Sequence, residues 1–221
     1  MLKLAKILSV LFHPVFNAFF NFFFFIMLTD TQGAALGFVI TLFFLAVVLI
    51  PVFYTFAIIY TDNKHFEWSQ LSNMAMLSRK KLLAYTIIYN VIFLLVIINL
   101  NEIFLGLYQP MFASVVMGFV LSMMAAFIFH LRNFKNSLHA LTAAFFATFC
   151  FVFAWRIPGM EEVIGNKSNL FLIAGGVNSA ILICVVWARL TLKAHTYKEI
   201  LAGILIGILS PVLLSLLTYG L

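Results

Sequence analysis

Seven stretches of this chain run almost without charge, each closed by a short polar bridge; they fall at residues 7–28, 36–60, 82–105, 111–129, 140–155, 170–187 and 200–217. A backbone surrounded by hydrocarbon must satisfy its own N–H and C=O groups, and a single segment does this only as a helix. Crossing a bilayer core of about 30 Å takes roughly 20 apolar residues in that form. The pattern therefore predicts an all-α protein, a polytopic membrane helical bundle of about seven transmembrane helices. One integral membrane domain covers residues 1–221, with no stretch left for a soluble domain and no internal repeat.

Composition agrees. Charged residues make up 9% of the 221 residues and hydrophobic ones 65%, whereas soluble domains carry about 25% charged residues. The 27 Phe are more than a water-facing globule can hide, and lipid is their natural solvent. The formal charge of +6 then reads as membrane topology and anion binding, not as nucleic-acid affinity. Cys150 and Cys184 both lie in apolar runs with no second Cys or His at ligand spacing, so neither a disulfide nor a metal centre is expected. The N-terminus is short and basic, with Lys3 and Lys6, but the apolar run after it is too long for a signal peptide and lacks a cleavage site. It is expected to be an uncleaved first span, with Pro14 tolerated near its start and His13 at the interface.

The bridges carry the charge. Asp30-Thr31-Gln32-Gly33 is a turn, Pro51 is a kink in the second span, and residues 61–81 are the longest polar region. Within it residues 66–71 suit a short amphipathic helix on the bilayer surface, and Arg79-Lys80-Lys81 suits a topology anchor. Glu102 closes the third span at the interface, ahead of a turn at 106–110. Sorting by seven spans puts Lys3, Lys6, Lys64, Arg79, Lys80, Lys81, Arg132, Lys135, Arg189, Lys193 and Lys198 on one face and leaves Arg156 and Lys167 on the other. Basic loops mark the cytoplasmic side. Several of these residues are also candidate anion ligands, so the bias speaks to the span count and not to the side of the site.

Chemistry concentrates in residues 188–199. Arg189 can hold an anion bidentately, and His195 can act as a base or nucleophile near neutral pH. Glu199 follows His195 by one helical turn, on the same face of a helix that begins there. Segments 79–81, 135–139 and 189–199 share one membrane face and are expected to meet in one pocket. Ser137 and Thr196 each precede a span, and helix N-termini suit phosphate. Thr196-x-x-Glu199 is also a capping box, which can coexist with a role for Glu199 in orienting His195.

Arg189, five residues, His195, three residues and Glu199 together resemble the third signature of the type 2 phosphatidic acid phosphatase superfamily: Ser-Arg, five residues, His, three residues, Asp. Ser137-Leu138-His139 resembles its second, Pro-Ser-Gly-His, and spans five and six supply the helical hairpin between them. Ala202-Gly203 and Gly207 are similar to the small-residue start of the family's last helix, and are otherwise a GxxxG packing face. The likeness covers residues 135–207 and points to a short, multi-span bacterial subgroup. Departures are specific. The first signature, Lys, six residues, Arg-Pro, is missing, with Arg79-Lys80-Lys81 as its nearest substitute. Asn136 stands for Pro, Leu138 for Gly, Ala188 for Ser and Glu199 for Asp.

The resemblance implies hydrolysis of a lipid phosphate or polyprenyl diphosphate through a phosphohistidine. His195 is then the nucleophile, Glu199 holds its ring, and His139 protonates the leaving oxygen and later activates water. Arg189, Lys135, Ser137 and Arg79, Lys80 or Lys81 bind the phosphoryl group. No metal or other cofactor is needed, and the partners are the bilayer and a lipid phosphate, not nucleic acid. The oligomeric state is not legible. The competing expectations are an inactive relative that binds lipid phosphates or partner membrane proteins, and a transporter. The second predicts charge buried in mid-span, whereas here charge sits at span ends.

Overall fold

The structure, a computed structural model, describes residues 1–28, 49–63, 76–100, 110–155 and 168–219. Expectations for the 30–33 turn, the 66–71 surface helix, Glu102, Arg156 and Lys167 lie outside them, as does the 106–110 turn except for Pro110, which opens a helix. Among the described residues the regular structure is helical, as α1 (Leu2–Leu11), α2 (Pro14–Leu28), α3 (Ile50–Asn63), α4 (Met76–Leu100), α5 (Pro110–Leu131), α6 (Leu138–Ala154), α7 (Ser168–Thr191) and α8 (Tyr197–Tyr219).

Among the described residues three stretches are long and apolar enough to cross a membrane: Ala113–Leu131, Ser168–Thr191 and Tyr197–Leu217. The number rises to four if α1 and α2 are taken as one broken span. The continuous first helix expected over 7–28 is corrected by this break. Pro14 opens α2, where its missing N–H is no loss. The residue before a proline is driven out of the helical region, so α1 stops at Leu11. The expected 140–155 span is α6, whose 17 residues reach about 26 Å, and the helix carrying Arg79-Lys80-Lys81 begins earlier, at Met76.

Polar residues within these apolar helices bond to their own backbone. Thr86, Ser122, Thr142, Asn178 and Ser210 each donate to the carbonyl four residues back, at 2.8–3.0 Å. That local solution suits a medium without water.

The chain divides into two compact units, one of Met1–Pro14 with Asn136–Leu221 and one of Val15–Lys135. In the first, α6 is the core. It packs on α7 and α8, α1 packs on α7, and Phe145, Phe146, Phe149 and Phe153 of α6 are buried together with Phe171. Many of the phenylalanines expected to meet lipid are thus core residues, while α7 and α8 keep exposed rows such as Leu172, Ile183, Leu205 and Leu213. In the second unit α4 packs on α5 and α3 on α4, with Tyr54 stacked on Tyr85 at 3.7 Å between ring centroids.

Candidate functional site

The first unit gathers the site from three chain segments. At the end of α7 the Ala194 N–H donates to the Arg189 carbonyl (3.1 Å) and the Lys193 N–H to the Leu190 carbonyl (2.9 Å). Lys193 takes φ 51°. This is the left-handed turn that commonly ends helices, and it carries the chain from Arg189 to His195 in six residues. Arg189 is 1% exposed, the largest fully buried side chain described. A guanidinium removed from water needs donors satisfied and charge balanced.

Thr196 then opens α8. Its N–H donates to Glu199 Oε2 (2.8 Å), and the Glu199 N–H donates to Thr196 Oγ1 (3.3 Å), a reciprocal capping box. The same Oε2 accepts from His195 Nδ1 at 3.2 Å. His195 is 1% exposed in its side chain and Glu199 20%. A carboxylate only accepts, so the contact puts the proton on Nδ1 and leaves Nε2 of neutral His195 with its lone pair.

Ser137 caps α6. Its Oγ accepts from the Ala140 N–H (3.4 Å), and its own N–H donates to the Glu199 carbonyl (3.0 Å), tying the start of α6 to the first turn of α8. Glycine is required across this seam. A Cβ on Gly203 would strike the Ser137 carbonyl, and one on Gly207 the Leu141 carbonyl. The GxxxG face is therefore what lets the second and third motif segments touch.

His139 follows in the first turn of α6, buried. Its Nε2 lies 3.1 Å from the Ser9 carbonyl, and since a carbonyl only accepts, Nε2 carries the hydrogen. Ser9 Oγ accepts from Arg189 Nη1 at 2.8 Å. The His13 ring stands edge-on to His139, 5.2 Å between centroids and 85° between planes. Arg189, His13 and His195 all lie near enough to act on the charge of His139. Asn136, next to Ser137, is fully buried, and neither its Nδ2 nor its Oδ1 has a hydrogen-bond partner among the described residues.

Of the residues expected to bind phosphate, Arg189 and Ser137 are therefore in this unit with His139, His195 and Glu199. Arg79, Lys80, Lys81 and Lys135 belong to the other, where Arg79, Lys80 and Lys135 gather near His130. Arg79 is buried and Lys81 exposed. Lys80 Nζ donates to Asn133 Oδ1 (2.9 Å). His130, in the last turn of α5, is buried and donates from Nδ1 to the Ala126 carbonyl (2.8 Å).

Sequence reasoning missed Ser9 altogether and read His13 as interfacial. The available signal was Pro14: an apolar run long enough to be a helix precedes it, so the break exposes carbonyls just ahead of His13. Asn136 was visible only as a departure from a signature. Among the described residues, no group of three His, Cys, Asp or Glu side chains is placed to hold a metal ion.

Fold and composition define the class as a helical protein with apolar helices suited to a membrane. No family model, curated protein or solved structure matches the chain.

Proposed function

We propose that this chain is a membrane phosphatase that removes phosphate from a lipid phosphate or polyprenyl diphosphate through a phosphohistidine. In this reading it is a single membrane domain of about seven spans, sitting in a bacterial inner membrane. The observation that carries the reading is the join of two buried histidines and a buried arginine within one unit: His195 held by Glu199, with His139 and Arg189 both held by Ser9. Burying a guanidinium beside two imidazoles costs free energy, and a bound anion would offset part of that cost.

The chemistry follows from the roles these groups can take. Nε2 of His195 attacks phosphorus, and Glu199 stabilises the charge that forms on the ring. Arg189 neutralises phosphoryl oxygens, a contribution typically worth about 10²–10³ in rate for a single donor. His139 gives a proton to the leaving oxygen and then takes one from water, worth about 10²–10⁴. The unpartnered amide of Asn136 supplies a donor and an acceptor for a polar ligand, whose binding would offset the roughly 1–3 kcal/mol that each such buried group costs. In this reading the spans place a substrate tail in the bilayer and its phosphate at the membrane face.

The test is phosphate release by purified protein in detergent from phosphatidic acid, phosphatidylglycerol phosphate, a polyprenyl diphosphate and lipid A phosphates. The parent should release phosphate from at least one, and His195→Ala and His139→Ala should each lower the rate by at least about 10²-fold while remaining folded. Equal release by all three proteins, or silence of the parent across the panel, overturns the reading. Silence together with retained binding of lipid phosphate would instead identify an inactive binding relative.

A further inference from the structure

We propose that Ser9 is a positioning residue of this site: its carbonyl selects which nitrogen of His139 handles the proton, and its hydroxyl sets where Arg189 presents its charge. The inference rests on the phosphatase reading above and adds α1 to the catalytic machinery.

The way α1 ends makes this possible. In a continuing helix the Ser9 carbonyl would accept from the His13 N–H. Here His13 N–H turns to the Val10 carbonyl (3.1 Å), and Phe12 N–H takes the Leu8 carbonyl (3.0 Å), while the helix cannot run on through Pro14. Ser9 therefore offers a helix-terminal carbonyl with no helical donor. His139 Nε2–H fills that place across 130 residues of sequence, and Arg189 reaches the Ser9 hydroxyl across 180. Carbonyls at a helix end carry partial negative charge, which suits a buried guanidinium. Thr86, Ser122, Thr142, Asn178 and Ser210 bond within their own turns, whereas this buried serine holds two distant groups.

The two histidines are thereby held from opposite ring nitrogens. Glu199 takes Nδ1 of His195, which assigns the attack to Nε2. Ser9 takes Nε2 of His139 and leaves Nδ1 as the nitrogen that exchanges protons. The edge-on ring of His13 restricts His139 from turning over. The phosphate group binds with one proton, which passes to Nδ1 of neutral His139; in the first step the Nε2 lone pair of His195 forms the N–P bond as the P–O bond to the leaving group breaks, and the leaving oxygen takes that proton back from Nδ1. In the second, water gives a proton to Nδ1 as its oxygen bonds to phosphorus, the P–N bond breaks, and inorganic phosphate and free His195 result.

The experiment compares parent, Ser9→Ala and Ser9→Thr on the best lipid phosphate of the panel, alongside ¹⁵N NMR of histidine-labelled parent in micelles, with His139 assigned from its loss in His139→Gln. Ser9→Ala should lower kcat by about 10–100-fold, the usual size for lost support of a functional group, with KM within about threefold. Ser9→Thr, which keeps the hydroxyl, should recover most of the rate. The spectrum should show neutral His139 protonated on Nε2. A purely structural role would lower melting temperature without the split between kcat and KM or the rescue. An active parent with Ser9→Ala at the parental rate, or His139 protonated on Nδ1, overturns this inference alone. An inactive parent overturns the phosphatase reading and this inference with it.

Discussion

Two helices end in the same turn and use it differently. In α5 the Phe134 N–H donates to the Phe129 carbonyl and the Asn133 N–H to the His130 carbonyl, both at 3.0 Å, with Asn133 at φ 57°. In α7 the equivalent bonds join Ala194 to Arg189 and Lys193 to Leu190, with Lys193 at φ 51°. The first turn is closed by an apolar pair across its ends, Phe129 and Phe134, 5.7 Å between centroids, the contact that usually accompanies this motif. It also uses asparagine, which tolerates the left-handed conformation. The second has neither feature. It places a buried arginine where the apolar partner belongs and a lysine where asparagine or glycine belongs. A helix end that sets aside its own local stabilisation to bury a cation has a task beyond ending the helix.

The comparison can be broken at its strongest point. Arg189→Lys keeps a charge but loses the planar fork that grips a phosphoryl group, and kcat/KM for lipid phosphate should fall about 10²–10³-fold. Phe134→Ala, at the matching end of α5, should leave phosphate release within about threefold and lower stability by about 1–3 kcal/mol, read from melting in detergent. If Arg189→Lys releases phosphate at the parental rate, the two turns differ in sequence only.

A smaller effect sharpens the account of how the α7 turn meets α6. Gly203→Ala forces a Cβ onto the Ser137 carbonyl, and backbone cannot yield as a side chain can. Thermal denaturation should report a loss of about 1–3 kcal/mol, and activity should drop because Ser137 and His139 share that segment. Gly176→Ala, with open space around its Cβ, is the control and should gain up to about 1 kcal/mol. Equal melting of both variants would mean the helix seam does not depend on glycine.

The smallest effect falls at the turn residues themselves. Lys193→Gly relieves the left-handed strain and should stabilise by about 0.5–1 kcal/mol, while Asn133→Gly should change stability by less, because asparagine already tolerates φ > 0. Melting temperatures of the two single variants check it. A larger gain at Asn133 would contradict the strain argument.

Much of the helical plan was legible because it follows from local chemistry. The runs without charge are helical where the structure describes them. Thr196 and Glu199 cap α8 as their spacing requires, and Glu199 reaches back to His195 because four residues make about one helical turn. The break at His13-Pro14 was legible too, and it was misread: a proline near the start of an apolar run was taken as the beginning of a helix already under way, when it separates two.

What was hidden shares one property, which is distance along the chain. Ser9 has no marking in the sequence. Its hydroxyl and carbonyl matter because α1 packs on α7 and presents a spent helix end to Arg189 and His139. Asn136 looked like a simple replacement until the structure enclosed it without a partner among the described residues. The basic residues near His130 come together within the second unit from segments more than fifty residues apart. Periodicity, capping and charge placement act over a few residues, so the sequence by itself determined the helices, their apolar character and the pairing of His195 with Glu199. Which buried groups meet depends on how helices separated by more than a hundred residues settle against one another. Glycine seams and an exposed helix end decided that, and only the tertiary structure displays it.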